Sequence, residues 1–336
     1  MLLPLFYFLA ASHGVSSSIL ADGPRQLERK CRIVEKENPR REMREIDGHS
    51  QNGEKGVATH EICYSIEDRT GQRKWHRHTR SMSLSRGGHS HNISVVYLQR
   101  PKAWTSPTVL GDDSRFWRVD HAHDPYLQAV RASFLLPFLV KSFSLFSKYE
   151  EKQVVFAGLG GGAGSMYLRY QRAKFNITVV EEETEVVELS KRWFGILEDD
   201  RFTVANERME EFLRKAGETG TTFYDAIIID WMGAGELPLS SRIFIGDIPR
   251  LASAVLRPTG VVLASMLTAF PHCISLRLAN GHRTLACHRR RFNVEETQPF
   301  VDRFRFIAKF FRFRTSQHYE SMTIHTRKSD GDTVDI

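Results

Sequence analysis

The sequence predicts an α/β fold in which a doubly wound, mostly parallel sheet follows a small antiparallel β-domain. From residue 152 onward, short apolar runs alternate with helix-patterned segments, as they do when helices join parallel strands. Two of these runs, QVVFAG at 153–158 and FYDAIIIDWM at 223–232, are apolar almost throughout, which is typical of strands covered on both faces. Before residue 120, short alternating runs lie between turn signals, which favours β-hairpins.

The first 14 residues resemble a secretory signal peptide. The apolar run Leu2–Ala11 has the length of a signal-peptide core, is too short to span a bilayer, and is followed by small residues. No Lys or Arg precedes the run, so a buried or interfacial segment is the alternative. No later run has the length of a transmembrane helix. We therefore expect a secreted or endoplasmic-reticulum luminal protein without a membrane span, in which the sequons at Asn92 and Asn176 would be available for glycosylation.

The four cysteines fall into an early pair and a late pair. In an oxidising compartment this grouping favours the disulfides Cys31–Cys63 and Cys273–Cys287, although four cysteines allow three pairings. Four free thiols in a reducing compartment are the alternative. An Asn-Gly dipeptide, which is a strong hairpin signal, lies between the two late cysteines and would bring them together.

The domain boundaries follow from these patterns. After the signal peptide at 1–14, residues 23–120 are predicted to form the small β-rich domain, which begins with a polar, charge-rich segment. Residues 121–330 are predicted to form the α/β domain. Its first helix is expected over 124–143, because Asp124 is a suitable N-cap and Pro125 a suitable first helical residue.

Strand and helix patterns then alternate through the α/β domain. Strands are expected over 153–158, 176–183, 201–207, 223–232 and 260–267. Helices are expected over 164–175, 183–196, 209–217 and 241–256. The tail adds a strand at 318–326 and, before it, a helix with one apolar face formed by Phe300, Phe304, Ile307 and Phe311.

The candidate ligand site is the glycine-rich turn after the first strand of this domain. Gly158, Gly160 and Gly162 lie between a strand and a helix, where the backbone passes close to a nucleotide-like ligand in such folds. Glu181 ends the next strand, where an acid accepts hydrogen bonds from two ribose hydroxyls. The alternative is that the glycines only permit close packing and the acids are solvated.

Three segments together, VVFAGLGGGAG, VVEEETEVVELSKRWFG and FYDAIIIDW, resemble the class I S-adenosylmethionine-dependent methyltransferases, in their spermidine-synthase-like branch. They are most similar to the C-terminal domain of the elongation factor one-alpha lysine and N-terminal methyltransferase. The resemblance covers roughly residues 120–270 and implies a Rossmann-type methyltransferase sheet with S-adenosylmethionine as cofactor. It also implies that the glycine loop contacts the methionine part of the cofactor and that Glu181 holds the ribose.

The same resemblance implies two further site residues. In many members an acid after the third strand binds the adenine amino group; the aligned residue here is Arg208, and Glu207 or Asn206 could replace it in that contact. Asp230, which follows the fourth strand, is the expected catalytic residue, with Trp231 beside it where substrate would approach. The alternative is that Asp230 forms a turn and that Trp231 packs.

The resemblance also bears on the type of reaction. Spermidine synthases carry an aspartate where this chain has Gly161 and another where it has Gly233. Their absence disfavours aminopropyl transfer, because the attacking amine needs carboxylates for orientation and deprotonation. Methyl transfer requires mainly alignment and exclusion of water. The expected function is methyl transfer to an acceptor that the sequence does not identify, and a secreted or luminal non-catalytic protein on the same fold is the alternative.

Charge and histidine patterns add no further partner. The net charge of +7 is a modest excess that favours acidic partners. Arginines and aromatic residues alternate at 302–314, as on surfaces that bind single-stranded nucleic acid, but a core-facing helix with a basic outer side is the preferred interpretation. The spacing of Cys and His predicts no metal site. The cofactor is the expected small-molecule partner, nucleic acid is not expected, and a homodimer is compatible with these features.

Overall fold

The computed structural model of this chain describes residues 24–35, 59–69, 77–86, 88–101, 113–220, 223–229, 247–263, 270, 272–278, 283–288, 297–313, 319–327 and 333–335. These residues form two sheets and the helices that cover the larger one. The predicted signal peptide at 1–14 lies outside the described residues, as do Asp230 and Trp231.

The first sheet is antiparallel, and its five strands lie in chain order. They are β1 (Arg25–Glu35), β2 (Thr59–Arg69), β3 (Thr79–Arg86), β4 (His89–Gln99) and β5 (Arg118–Val119). Ile66 and Met82 are paired across β2 and β3 and are fully buried, so one face of the sheet packs into the core. This sheet confirms the predicted antiparallel β-domain, whereas the exact boundary at residue 120 stays a prediction.

The second sheet has nine strands and is parallel over the predicted strand–helix repeats. Its strands are β6 (Gln153–Ala157), β7 (Asn176–Val180), β8 (Phe202–Ala205), β9 (Tyr224–Ile229), β10 (Leu256–Leu263), β11 (His272–Leu278), β12 (Arg283–His288), β13 (Tyr319–Arg327) and β14 (Thr333–Asp335). Their order is β8-β7-β6-β9-β10-β12-β11-β13-β14, and β6 to β10 are parallel. The strand order reverses between β6 and β9, which makes this point the topological switch point of a doubly wound sheet.

Helices cover both faces of this sheet, which explains the apolar strands. All six residues of β9 are buried, as predicted for a strand with helices on either side. The buried apolar side chains form two clusters, and alternate residues of β6 belong to different ones. Val154 and Phe156 lie in the larger cluster, and Val155 and Ala157 lie in the smaller one. The helices are α1 (Gln128–Leu139), α2 (Ala163–Gln171), α3 (Thr184–Trp193), α4 (Met209–Thr219), α5 (Ile248–Val255) and α6 (Thr297–Phe310).

The first helix begins later than its sequence signals suggest. Asp124 was expected as N-cap, but α1 starts at Gln128 and its N-cap is Leu127, which makes no side-chain capping bond. Asp124 instead forms an ion pair with Arg131 at 3.1 Å, between Oδ2 and Nε. The prediction of this helix start was wrong because Asp124 contacts a side chain one turn inside the helix rather than the first backbone amides.

The tail extends the sheet beyond the parallel strands. β11 and β12 form the antiparallel hairpin that the Asn-Gly dipeptide predicts, although residues 279–282 lie outside the described residues. Phe304 and Ile307 of helix α6 and Phe311 just after it are buried as predicted, whereas Phe300 is only partly buried. Among the helices that the structure describes, none combines the length and the apolar character needed to cross a bilayer.

The two predicted cysteine pairs are both at disulfide distance. Cys31 lies directly opposite Cys63 in the β1–β2 ladder, with 4.1 Å between the two Cα atoms. Cys273 lies directly opposite Cys287 in the β11–β12 hairpin, with 4.0 Å between the Cα atoms. The pairing predicted from the early and late grouping is therefore confirmed, and each sheet carries one cross-strand disulfide.

Candidate cofactor-binding site

The glycine loop leaves β6 at the switch point of the sheet. Gly158, Gly160 and Gly162 all have positive φ angles, at +96°, +49° and +69°. These angles lie in or beyond the left-handed region, which glycine adopts at least cost, so the backbone itself explains the alternate glycines. The loop ends in Gly162, which is the N-cap of α2, and the first turn of that helix therefore directs its free N–H groups towards the loop.

Protein side chains pack tightly against this loop. A Cβ atom on Gly161 would lie 2.4 Å from Phe194 Cδ1 and 2.8 Å from Ser94 Oγ. A Cβ atom on Gly162 would lie 2.4 Å from Ile196 Cδ1. Real Cβ contacts are longer than this, so these glycines are also required for packing against β4 and against the segment after α3. The packing role that the sequence left open is therefore present in the structure.

Glu181 joins the glycine loop to the end of β7. Its Oε2 accepts a hydrogen bond from Leu159 N at 2.9 Å, and its Oε1 accepts one from Glu183 N at 3.0 Å. Burial raises the pKa of Glu181, and the two backbone amides oppose that shift. A carboxylate has about four lone-pair sites, so two remain for hydroxyl donors, and the side chain is partly exposed. The acid and the loop thus form one hydrogen-bonded unit.

The small sheet contributes residues to the acidic end of this unit. Arg32 of β1 forms an ion pair with Glu183 and lies 3.9 Å from the carboxylate of Glu185. Burial raises the pKa of Glu183, and the charge of Arg32 opposes that rise. Burial also raises the pKa of Tyr64, and the neighbouring Glu183 and Glu181 add to that effect. The strands before the α/β domain therefore form part of the candidate site, which sequence reasoning missed because no motif in β1 or β2 signals it.

One buried arginine anchors the small sheet beside the site. Arg80 donates to both carboxylate oxygens of Asp68, at 2.7 and 2.8 Å, and both side chains are almost fully buried. Arg80 also donates to the carbonyl oxygens of Trp193 and Ser114, at 2.7 and 2.8 Å. Trp193 ends α3 immediately before Phe194, so this network fixes the segment that packs on the glycine loop.

The residues proposed for the adenine contact lie near β8. Glu207 accepts a hydrogen bond from Lys215 at 2.7 Å, and Arg208 lies 3.8 Å from the carboxylate of Glu182. Asn206, in contrast, donates from Nδ2 to the backbone oxygen of Glu181 at 2.7 Å. Of the three candidates, Asn206 is therefore the one hydrogen-bonded to the strand end that carries Glu181. The adenine contact through Glu207 stays a prediction.

Asp230 lies outside the described residues, but the strand that leads to it is well placed. Ile229, the last residue of β9, is paired with Ala157, the last residue of β6. Because these strands are parallel, the residues that follow both of them leave the sheet at the same edge. The backbone before Asp230 is thus adjacent to the backbone before Gly158.

Comparisons with known proteins find similar solved structures but no matching family model and no matching curated protein. Human methyltransferase-like protein 13 in complex with SAH is 18% identical, with a TM-score of 0.42, covering 55% of this chain and 89% of its own. A probable spermidine synthase from Corynebacterium glutamicum is 14% identical, with a TM-score of 0.46, and the match covers 77% of this chain and 94% of the synthase. Spermidine synthase from Thermotoga maritima is 14% identical, with a TM-score of 0.41, covering 75% and 84%. At these identities and TM-scores the comparisons do not assign the chain to a family.

Proposed function

We propose that this chain binds S-adenosylmethionine at the glycine loop and transfers its methyl group to an acceptor. The observation that carries the proposal is the hydrogen bond of 2.9 Å between Glu181 Oε2 and Leu159 N at the switch point. This hydrogen bond holds the Glu181 carboxylate, which can accept ribose hydroxyls, against the glycine loop. The positive φ angles of that loop allow a ligand to approach the backbone closely. Doubly wound sheets bind their ligands at this point.

Each part of the candidate site has a separate task in this proposal. The backbone of Gly158, Gly160 and Gly162 would lie along the methionine part, Glu181 would accept the ribose hydroxyls, and Glu207 would contact the adenine. Bound S-adenosylmethionine would supply a methyl group already activated by its sulfonium. The protein would then align the acceptor and exclude water, which together lower the barrier. Asp230 would orient the acceptor and receive its proton.

Aminopropyl transfer is a weaker candidate on this loop. Spermidine synthases carry an aspartate at the position of Gly161, and a Cβ atom there would lie 2.4 Å from Phe194 Cδ1. The described packing therefore leaves no room for that carboxylate without movement of Phe194. Gly233, at the position of the other aspartate, lies outside the described residues. Methyl transfer requires neither carboxylate.

A non-catalytic protein on the same fold is the second candidate, and one observation favours it. Ser94 and Phe194 contact the loop at Gly161, and both oxygens of Glu181 already accept backbone amides. A loop held in this way is stable without a ligand. We also propose that the chain enters the secretory pathway, where the disulfides Cys31–Cys63 and Cys273–Cys287 would persist. The second candidate gains weight in that compartment, because the cofactor is made in the cytosol.

Calorimetry with S-adenosylmethionine and S-adenosylhomocysteine tests the binding step. Glu181→Ala should weaken binding by about ten- to a hundredfold, because hydrogen bonds to charged groups contribute roughly 1.5–3 kcal/mol. Glu182→Ala is the matched control, since Glu182 is the adjacent exposed acid and is paired with Arg208. Equal binding by the parent and Glu181→Ala would overturn the proposed site, and no binding at millimolar cofactor would overturn the function.

Turnover separates the two candidates. The purified chain is incubated with methyl-labelled S-adenosylmethionine and with protein and small-molecule fractions from the native source, and release of S-adenosylhomocysteine is measured. Release of S-adenosylhomocysteine by the parent but not by the Asp230→Asn variant supports methyl transfer. Cofactor binding without product in any fraction favours the non-catalytic protein. N-terminal sequencing of the native protein tests the secretory route, which an intact Met1 would contradict.

A further inference from the structure

Three phenylalanine side chains form an exposed cluster on the face of α6 that points away from the core. Phe306 and Phe310 lie one helical turn apart on α6. Phe146, which belongs to the segment after α1, lies beside both of them. Their exposed fractions are 53%, 43% and 75%. The ring centroids of Phe146 lie 6.4 Å from Phe306 and 6.0 Å from Phe310. We name these three residues the aromatic patch.

The aromatic patch is not explained by the core of the protein. Helix α6 and the residue after it already fill the core with Phe304, Ile307 and Phe311, which are buried. The patch therefore adds a second apolar stripe to a helix that needs only one. Contiguous exposed aromatic rings are unfavourable in water, and such patches mark surfaces that bind proteins, membranes or ligands.

Exposed cations are close in the chain to the rings of the aromatic patch. Arg305, Lys309 and Arg312 are exposed on or just after α6, and Lys148 is exposed two residues after Phe146. The described acid on this face of the helix, Asp302, lies 3.5 Å from Arg305. Exposed cations thus outnumber the described acid on this face of the helix, beside the apolar rings.

We infer that the aromatic patch docks the protein on an anionic lipid surface. The rings would enter the boundary between headgroups and acyl chains, where amphipathic surfaces with aromatic residues bind, and the cations would contact lipid phosphates. This docking is peripheral and requires no membrane-spanning helix. It is independent of the proposed methyl transfer, because the patch shares no residue with the glycine loop.

The ring geometry favours lipid over single-stranded nucleic acid. Phe146 and Phe310 meet edge to face, with 87° between their planes. Nucleic-acid surfaces present ring faces on which successive bases can stack. Here Phe146 lies edge to face with Phe310 and tilted against Phe306, so the three rings form one exposed apolar surface, which suits insertion among acyl chains.

Sedimentation of the purified chain with lipid vesicles tests the inference. The chain should bind vesicles containing phosphatidylserine at low salt, and should bind pure phosphatidylcholine vesicles about tenfold or more weakly. Lys309→Glu should weaken binding to the anionic vesicles about tenfold. The double variant Phe306→Ser/Phe310→Ser should weaken it by a similar factor or more.

Phe116→Ser is the matched control for the ring substitutions. Phe116 is 57% exposed and lies in the turn before β5, outside the aromatic patch, and its neighbour Arg115 donates a hydrogen bond to Asp113 at 2.8 Å. This variant should bind anionic vesicles as the parent does. Thermal unfolding followed by circular dichroism verifies that all the variants are folded, and a destabilised double variant is replaced by Phe146→Ser, whose ring is the most exposed of the three.

Three results would overturn the inference. The first is no binding of the parent to phosphatidylserine vesicles at low salt. The second is equal binding by the parent and the folded ring variants. The third is a patch that serves another partner. In that case the ring variants would abolish binding of a single-stranded oligonucleotide, or self-association in sedimentation velocity, and would leave lipid binding unchanged.

Discussion

The two sheets carry one cross-strand disulfide each, yet they are stabilised in different ways. The nine-stranded sheet is covered by helices on both faces, and alternate residues of its central strands enter two apolar clusters. The five-stranded sheet packs one face into the larger apolar cluster through Ile66 and Met82, and it is held further by the buried pair Asp68–Arg80, by ion pairs with α3 and by contacts with the glycine loop. Apolar burial on both faces thus characterises the large sheet, whereas apolar burial and specific polar contacts together dock the small one.

Breaking the buried ion pair should have the largest effect. Arg80→Ala leaves the carboxylate of Asp68 buried without its partner and removes the hydrogen bonds to Trp193 and Ser114. Loss of one partner of a buried pair costs about 3–5 kcal/mol. Urea denaturation should record this loss, and the apolar double variant Arg80→Met/Asp68→Leu should recover much of it. A loss below about 1 kcal/mol would contradict the docking role of Arg80.

Removing the disulfides one at a time compares the sheets directly. The disulfide Cys31–Cys63 spans 32 residues and Cys273–Cys287 spans 14, so loop-closure entropy predicts losses of about 4 and about 3 kcal/mol for the respective double alanine variants. We also expect the first pair to matter more because the small sheet has less apolar cover. Equal or reversed losses in urea denaturation would argue against this difference between the sheets.

A methyl group on the glycine loop tests the contact between the sheets. Gly161→Ala should destabilise the protein by about 1–3 kcal/mol, because the added Cβ would lie 2.8 Å from Ser94 Oγ of β4 and 2.4 Å from Phe194 Cδ1. Gly217→Ala is the control: it lies in α4, its nearest neighbour is Val255 Cγ1 at 3.7 Å, and it should stabilise the helix by up to about 1 kcal/mol. Thermal melts of both variants check the prediction, and a neutral Gly161→Ala would show that the loop is loosely packed.

The pH dependence of stability should show the smallest effect. Burial raises the pKa of Glu181, so the folded state binds more protons than the unfolded state above the ordinary value of 4.5. Its contribution to stability is therefore fully present below 4.5 and is lost as pH rises through the raised pKa. Relative to Glu181→Gln, the parent should lose unfolding free energy between pH 4.5 and neutral pH. A parent that gains stability over this range relative to Glu181→Gln would contradict the sign.

Much of the fold follows from local sequence patterns. The apolar run of β9 predicts a strand buried on both faces, and all six residues are buried. The glycines before α2 predict a turn between a strand and a helix, and three of them have positive φ. The Asn-Gly dipeptide between Cys273 and Cys287 predicts the hairpin that pairs them. These features depend on neighbouring residues in the chain, which is why the sequence by itself determined them.

Tertiary structure alone decided the rest. Ser94 packs on Gly161, Arg80 binds the carbonyl of Trp193, and Phe146 meets Phe310, although these residues are far apart in the chain and no motif links them. Asp124 has the identity of an N-cap but contacts Arg131 instead. Such contacts depend on how separate elements pack, and a helical or strand period determines only which face of an element is apolar. The period could therefore place Phe304 in the core, but only the assembled fold brings Phe306 and Phe310 beside Phe146 on the surface.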